Sequence, residues 1–518
     1  MTGFKTTQLA GPDGATQPWW RGAAIYQVYP RSYLDTNGDG VGDLPGITAK
    51  LDYIASLGVS AIWISPFFTS PMKDFGYDVA DYCNVDPIFG TLEDFDRLIE
   101  VAHAEGLRVI IDQVMSHTSD EHAWFTESRE NRQNSKADWY VWRDAKPDGS
   151  PPNNWQAVFG GATWTWDARR QQYFMHNFLP SQPQLNLHNQ EVQDALLAAS
   201  RFWLDRGVDG FRLDAINFSM FDPDFTDNPA RPIENRTITR PHDFQYHIHN
   251  QSHAGPEPLS EMKAFTAGED RLNSAYSFDF LYASTLTPKR VRRAQSNWMG
   301  GVADGWPSWA FSNHDAPRCV SRWYRGQDRN RFARLTNALL FSLRGNPILY
   351  QGEELGLPQA SIAFEQLQDP EAIANWPRTL GRDGARTPMP WVHGQHEAGF
   401  TTGKPWLPLG QGHDEAAVDQ QNDDAGSVLN FTREISRIRR NCAALRVGDI
   451  DFVDTDEPLL AFRRVTSDQS ILCLFNFGDV TAARPDFLPA DARALIESGW
   501  DADASGDVPE YSVWIGQV

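Results

Sequence analysis

The sequence is short of cysteine, of long apolar runs and of basic charge, and each shortage removes a class of function. Cys83, Cys319, Cys442 and Cys473 are the four cysteines in 518 residues. They are widely separated, so neither metal-site spacing nor a disulfide framework is expected, and a reducing compartment suits them. Lys and Arg total 46 against 68 Asp and Glu, a net charge of −22. That balance argues against nucleic acid or an anionic membrane as partner and favours a neutral small molecule. No run is long enough to span a bilayer. Met1-Thr2-Gly3-Phe4-Lys5 leads into polar sequence without the apolar segment of a signal peptide, so a cytoplasmic location is expected. There is no Gly-x-Ser-x-Gly nucleophile elbow and no dinucleotide or phosphate-binding glycine motif. Internal repeats and low-complexity tracts are also missing.

What is present is a chain with 41% hydrophobic residues, long enough for two or three domains. Short apolar runs alternate with helical periodicity. Strands are expected at 23–29, 60–65, 108–114 and 209–214, then at 274–280, 306–312 and 346–350. Helices are expected at 44–57, 91–105, 191–206 and 329–344. Nearly continuous apolar strands separated by helices predict a parallel sheet with helical cover. From about 118 to 190 the alternation stops in favour of Trp, Asn, Asp, Pro and Gly, which predicts an inserted loop-rich region. After about 450 short β runs, 459–465 and 470–477, predict a small C-terminal β domain.

Polar groups cluster where these strands end, the position at which a (β/α)8 barrel carries its chemistry. The second strand leads to Asp74-Phe75-Gly76-Tyr77-Asp78, and the third contains Asp112 and leads to His117. The fourth ends in Arg212 and Asp214, two apart and therefore on one face of the strand, where the guanidinium keeps the carboxylate ionised. A later strand ends in Asn313-His314-Asp315. Separately, residues 35–43 place Asp35, Asn37, Asp39 and Asp43 at alternating positions with the Val41 carbonyl between them. Hard oxygen donors in a glycine-rich turn predict a bound divalent cation.

Together these stretches resemble the α-amylase-type glycoside hydrolase superfamily, in its α-glucosidase and oligo-1,6-glucosidase branch. The resemblance runs from about Trp19 to the C-terminus. It is carried by YQVYPRSY (26–33), DGVGDLPGI (39–47), DFGYDVADY (74–82), GFRLDA (210–215), NHDAPR (313–318), LYQGEELGL (349–357) and GARTPMPW (384–391). It implies a (β/α)8 TIM barrel over 1–117 and 188–449, an inserted domain over 118–187 after strand 3, and a C-terminal antiparallel β-sandwich over 450–518. It implies retaining cleavage of an α-glucosidic bond, with Asp214 as nucleophile and Asp315 stabilising the transition state. His117 and His314 would hydrogen-bond the non-reducing glucose, Tyr77 would stack on it, and Asp74 paired with Arg386 would close the pocket behind it. The cation, Ca²⁺ or Mg²⁺, would be structural and remote from the chemistry. Ala215 implies a preference for α-1,4 linkages such as maltose. The resemblance leaves open hydrolysis against glucosyl transfer, a sucrose- or trehalose-directed relative, an inactive glucan-binding relative, and monomer against homodimer.

The sequence departs from the family in two places. Gln184 replaces an aspartate in the segment 181–186. More consequentially, strand 5 and its acid/base glutamate are not found. Between Asn217 and Pro258 no four apolar residues run together, and the 58 residues from Pro258 to Asp315 supply about two βα units where the family has more. Leu259–Phe265 reads as the helix after that strand, so Gly268-Glu269 is an unsuitable substitute. The family's helix 4 and strand 5 are expected to be cut out near His253-Ala254-Gly255-Pro256, with Glu257 and Glu261 close to the junction.

Overall fold

The structure, a computed structural model, describes residues 18–236, 243–251, 258–266, 268, 271–299, 305–326, 328–379, 381–488, 492–500 and 506–517. Its centre is a parallel sheet of seven strands: β1 (Ile25–Val28), β2 (Ala61–Ile64), β3 (Arg108–Val114), β4 (Gly210–Asp214), β5 (Ala275–Ser277), β6 (Pro307–Ala310) and β7 (Asn346–Tyr350). Runs such as Ala61-Ile62-Trp63-Ile64 are apolar on both faces because helices cover one side and barrel interior the other. The spatial order is β5-β6-β7-β1-β2-β3-β4. Ile25 faces both Ala61 and Ile348, so the last strand closes onto the first as in a barrel.

The closure fails at one place. Among the described residues β4 pairs only with β3 and β5 only with β6. The described residues of the path between them hold a single α-helix, Pro258–Phe265, and no strand of the sheet. Every residue of β2, β6 and β7 is buried, whereas all five residues of β4 are only half-buried. The expected missing strand is therefore visible as an opening in the wall between β4 and β5.

Helical cover comes from α1 (Leu44–Thr48), α2 (Leu51–Ser56), α3 (Leu92–Ala104), α4 (Gln190–Asp205), α5 (Pro258–Phe265), α6 (Pro288–Trp298), α7 (Arg329–Ser342) and α8 (Val428–Asn441). A capping box between Thr91 and Asp94 starts α3, and the Asn189 side chain caps α4. The helix expected over 44–57 is broken at Lys50, whose φ of −120° leaves the helical region. The inserted stretch is more ordered than its composition suggests. It contains a helix, Ala123–Ser128, and an antiparallel sheet in the order Trp142–Arg143, Gln172–Met175, Trp164–Asp167.

At the C-terminus β8 (Asp449–Val453), β9 (Leu459–Val465), β10 (Ser470–Asn476), β11 (Arg493–Ser498) and β12 (Val513–Gln517) form one antiparallel sheet, ordered β8-β9-β10-β12-β11. The described residues give this single sheet rather than two facing ones. Alternation sends Leu460, Phe462, Cys473 and Phe475 into the main core, and Leu459, Ala461, Leu472 and Leu474 into a cluster of their own. The buried Arg464 of β9 fastens the sheet to the barrel by donating to the Ser342 carbonyl at 2.6 Å, while the buried Arg439 of α8 ties that helix to α7 through the Phe341 carbonyl at 2.8 Å. No described helix is long and apolar enough to cross a membrane.

Candidate active site

The strand ends deliver their polar side chains to one pocket. Asp315, just beyond β6, is met by Arg386 Nη2 at 2.9 Å, by His314 Nε2 at 3.3 Å and by Arg382 Nη1 at 3.6 Å. Burial works against its charge, but His314 and the surrounding arginines outweigh that and hold its carboxyl below the ordinary range. Arg386 also donates through Nε to the His314 carbonyl at 2.6 Å, which fixes its fork on this strand end.

His314 is fully buried between two rings, stacked with Tyr29 at 5.6 Å and with Tyr77 at 5.4 Å. The Gln27 amide nitrogen lies 2.7 Å from Nδ1, which therefore accepts. The ring proton then sits on Nε2, 2.7 Å from the Tyr77 hydroxyl, and that hydroxyl donates to Asp112 at 3.1 Å. Burial lowers the His314 pKa to about 3, so the ring is neutral near pH 7. His117 is also lowered by burial, and its ring contacts Ser116 Oγ at 2.9 Å and the Tyr77 carbonyl at 3.0 Å.

Asp214 is the last residue of β4. Arg212 Nη1 reaches its Oδ1 at 2.5 Å and Asp112 Oδ1 at 2.8 Å. Burial pulls the guanidinium pKa down, but Asp112 and Asp214 hold it well above the usual value. Burial, reinforced by Asp214, pushes the Asp112 carboxyl up to about 7 against the pull of Arg212. Trp63 Nε1 also donates to Asp112 at 3.1 Å, so the interior carboxyl is filled with donors. Ala215 then adopts a left-handed φ of 42°, a non-glycine turn costing roughly 1–2 kcal/mol, and the chain leaves the strand.

Asp74 belongs to the same pocket, but its partner differs from the expected one. Arg382, not Arg386, pairs with it, through Nη2 to Oδ1 at 2.8 Å. Arg382 Nη2 also meets Asp369 Oδ1 at 2.7 Å, and Gln182 donates to Asp74 Oδ2 at 3.1 Å. Arg382, Asp369, Gln182 and Gln27 are thus site residues that the strand-end motifs did not single out, and Asp112, read at the end of the third strand, joins them in the pocket. Tyr77 stacks on His314 within the protein and is 6% exposed. Gln184 is buried and accommodated, donating to the Phe218 carbonyl at 2.7 Å and accepting from Asn177 at 2.9 Å. Glu257 and Glu269 lie outside the described residues, and Glu261 falls on α5.

The loop 35–43 is a chain of side-chain-to-backbone turns. Asp35 accepts from Asn37, Gly38 and Gly40 amides, Asn37 from Asp39, and Asp39 from Val41, all at 2.8–3.0 Å. Asp43 caps α1 by accepting from Gly46 at 2.7 Å. The donor set is all oxygen, as a hard cation requires. Among the described residues no three acidic, imidazole or thiol side chains converge as a metal centre. A cation here would therefore rest partly on the Asn37 and Val41 oxygens.

Comparisons with known proteins agree with this architecture. The family description "Alpha amylase, catalytic domain" matches residues 27–448. A probable alpha-glucosidase of Rhizobium meliloti is 51% identical, over 92% of this chain and 92% of its own. The crystal structure of an alpha-glucosyl transfer enzyme, XgtA, superposes with a TM-score of 0.89 at 50% identity, over 97% of this chain and 100% of that one. An oligo-1,6-glucosidase of Halalkalibacterium halodurans aligns over 544 positions at 36% identity, covering 95% of this chain and 97% of its own. A chain of 518 residues cannot fill 544 positions, so that relative carries residues with no counterpart here. The chain belongs to the alpha-amylase family of glycoside hydrolases, among relatives named alpha-glucosidase and oligo-1,6-glucosidase.

Proposed function

We propose that the pocket receives the non-reducing glucosyl unit of a short α-glucoside and that Asp214 attacks its anomeric carbon. Arg212 pairs with Asp214 and aims it. Asp315, charged and braced by Arg386, stabilises the positive charge that develops on the sugar ring. The neutral rings of His117 and His314, hydrogen-bonded within the protein, would exchange those partners for sugar hydroxyls when a glucosyl unit binds, and Tyr77 forms the apolar floor. Asp74 with Arg382, and Arg386 beside them, close the far end, which makes attack exo-acting. Ala215 supports a preference for α-1,4 over α-1,6 linkage, and the likeness to XgtA supports glucosyl transfer alongside hydrolysis.

The observation that carries this reading is the pairing in one pocket of Arg212 with Asp214 and of Arg386 with Asp315. The test is covalent trapping with 5-fluoro-α-D-glucosyl fluoride, read by intact and peptide mass. A glucosyl adduct on Asp214 is expected; an unmodified protein, or an adduct elsewhere, overturns the assignment. Comparison of maltose with isomaltose tests the linkage preference, which fails if isomaltose is cleaved faster.

The loop 35–43 is proposed to hold a structural Ca²⁺ or Mg²⁺ through Asp35, Asn37, Asp39, Asp43 and the Val41 carbonyl. Bound there, the ion would neutralise crowded carboxylates. Added Ca²⁺ should raise the melting temperature of chelator-treated protein, and Asp39→Ala should abolish that rise.

A further inference from the structure

Retaining cleavage uses two carboxyl groups about 5 Å apart, one attacking and one supplying the leaving group with a proton. Each described carboxylate of this pocket is already committed. Asp315 is ionised and held by Arg386 and His314. Asp74 is held by Arg382 and Gln182. Asp112 is fully buried on the nucleophile's own side, joined to it through Arg212 and saturated by Trp63 and Tyr77. Beside Asp214, where a neighbouring strand would bring a carboxyl to the other face of the bond, the described residues give β4 no second partner strand, and β4 is only half-buried along its length.

We propose that this pocket uses α-glucosides whose leaving group departs without a proton, and that it passes the glucosyl unit to small anions. The inference rests on Asp214 being the nucleophile. In the first step an Asp214 Oδ bonds to C1 as the bond from C1 to fluoride or aryloxide breaks. The electron pair leaves with that anion and no proton moves. In the second step an anion such as azide bonds to C1 from the opposite face, the C1–Oδ bond breaks, and the pair returns to the carboxylate. The product keeps the α configuration. Water is a poor acceptor here because it must lose a proton to a base on that same face. Maltose is a poor donor because its glucose leaving group needs one.

The test compares the full chain on 2,4-dinitrophenyl α-glucoside, α-glucosyl fluoride and maltose, with and without sodium azide. The activated donors are expected to exceed maltose in kcat/KM by at least about 10²-fold, the scale of lost general-acid help. Azide should accelerate their turnover severalfold and yield α-glucosyl azide. Glu257→Gln, Glu261→Gln and Glu269→Gln should each leave the donor ratio unchanged. Maltose within about tenfold of the aryl glucoside, azide without effect on rate and product, or a ratio altered by one of the three variants shows that a proton donor is present and overturns the proposal. The trapping experiment separates the underlying reading. An adduct on Asp214 with efficient maltose turnover sinks only the missing proton donor; the absence of an adduct sinks the nucleophile and this proposal with it.

Discussion

Asp315 and Asp214 stand at strand ends of the same sheet and in different company. β6 is paired on both sides and buried throughout, and Asp315 beyond it is fixed by Arg386 and His314. Among the described residues β4 is paired on one side and half-buried throughout, and Asp214 at its end is held by Arg212. The groups proposed to grip the sugar come from β2, β3, β6 and the loop around Arg382, none of which borders the opening. The proton donor of a complete site would come from the strand the opening lacks. In this fold, glucose recognition and leaving-group departure lie on separable parts of the wall, so one can persist without the other.

The comparison breaks most sharply at the nucleophile. Asp214→Asn should lower turnover of an activated α-glucoside by about 10⁴-fold or more, as loss of a covalent nucleophile does elsewhere. It should also abolish trapping while leaving the fold intact by circular dichroism. Retained turnover would place the nucleophile elsewhere. A smaller, opposite change is expected from repair. Replacing the connection between β4 and β5 with that of the Rhizobium meliloti relative should raise kcat/KM on maltose by about 10²–10⁴-fold. It should change the activated donors far less. Equal gains on both would mean that the opening merely loosens the site.

How far this arrangement could be read in advance depends on the physics of each part. The barrel strands were legible because burial on both faces writes them as unbroken apolar runs, as in Arg108–Val114 and Asn346–Tyr350. The missing strand was legible for the same reason, since the polar stretch after Asn217 contains no such run. The sheet inside the inserted region was not, because its strands are as short as Trp142–Arg143 and share their aromatics with neighbouring loops. Arg382 was not legible either. It lies in a loop four residues before Arg386, and its pairing with Asp74 is set by an approach across 308 residues. The expected strand over 274–280 shrinks to Ala275–Ser277, where pairing on one side leaves its ends without partners.

The sugar-gripping side can be tested through Arg382. It is 7% exposed and joins Asp74 and Asp369, which are 5% and 0% exposed. Arg382→Ala leaves both carboxylates buried without their cation, and should destabilise the protein by about 3–5 kcal/mol in denaturant unfolding. KM for the activated glucoside should rise, while trapping at Asp214 persists at saturating reagent. Arg382→Lys should recover part of the stability but little of the binding, because an ammonium cannot fork between two carboxylates. Loss of trapping together with a small stability change would show that Arg382 serves the nucleophile's side instead.

The weakest expected effect distinguishes the two sides by the sign of their response to pH. His314 has a folded pKa of about 3, below its unfolded value near 6.5. Between those values the unfolded chain binds the extra proton, so its contribution to stability is full above about pH 6.5 and is lost as pH falls toward 3. Asp112 has the opposite shift, up to about 7 from an unfolded value near 3.8. In that window the native state binds the extra proton, so its contribution is present at low pH and is lost as pH rises toward 7. Each contributes a slope approaching about 1.4 kcal/mol per pH unit, and the two oppose each other. His314→Gln should therefore tilt the stability profile between pH 4 and 6.5 toward greater stability at low pH. Asp112→Asn should tilt it toward greater stability at high pH. Unfolding free energies measured across that range for both variants decide it, since parallel slopes would mean that neither group carries its proton as the pocket's geometry requires.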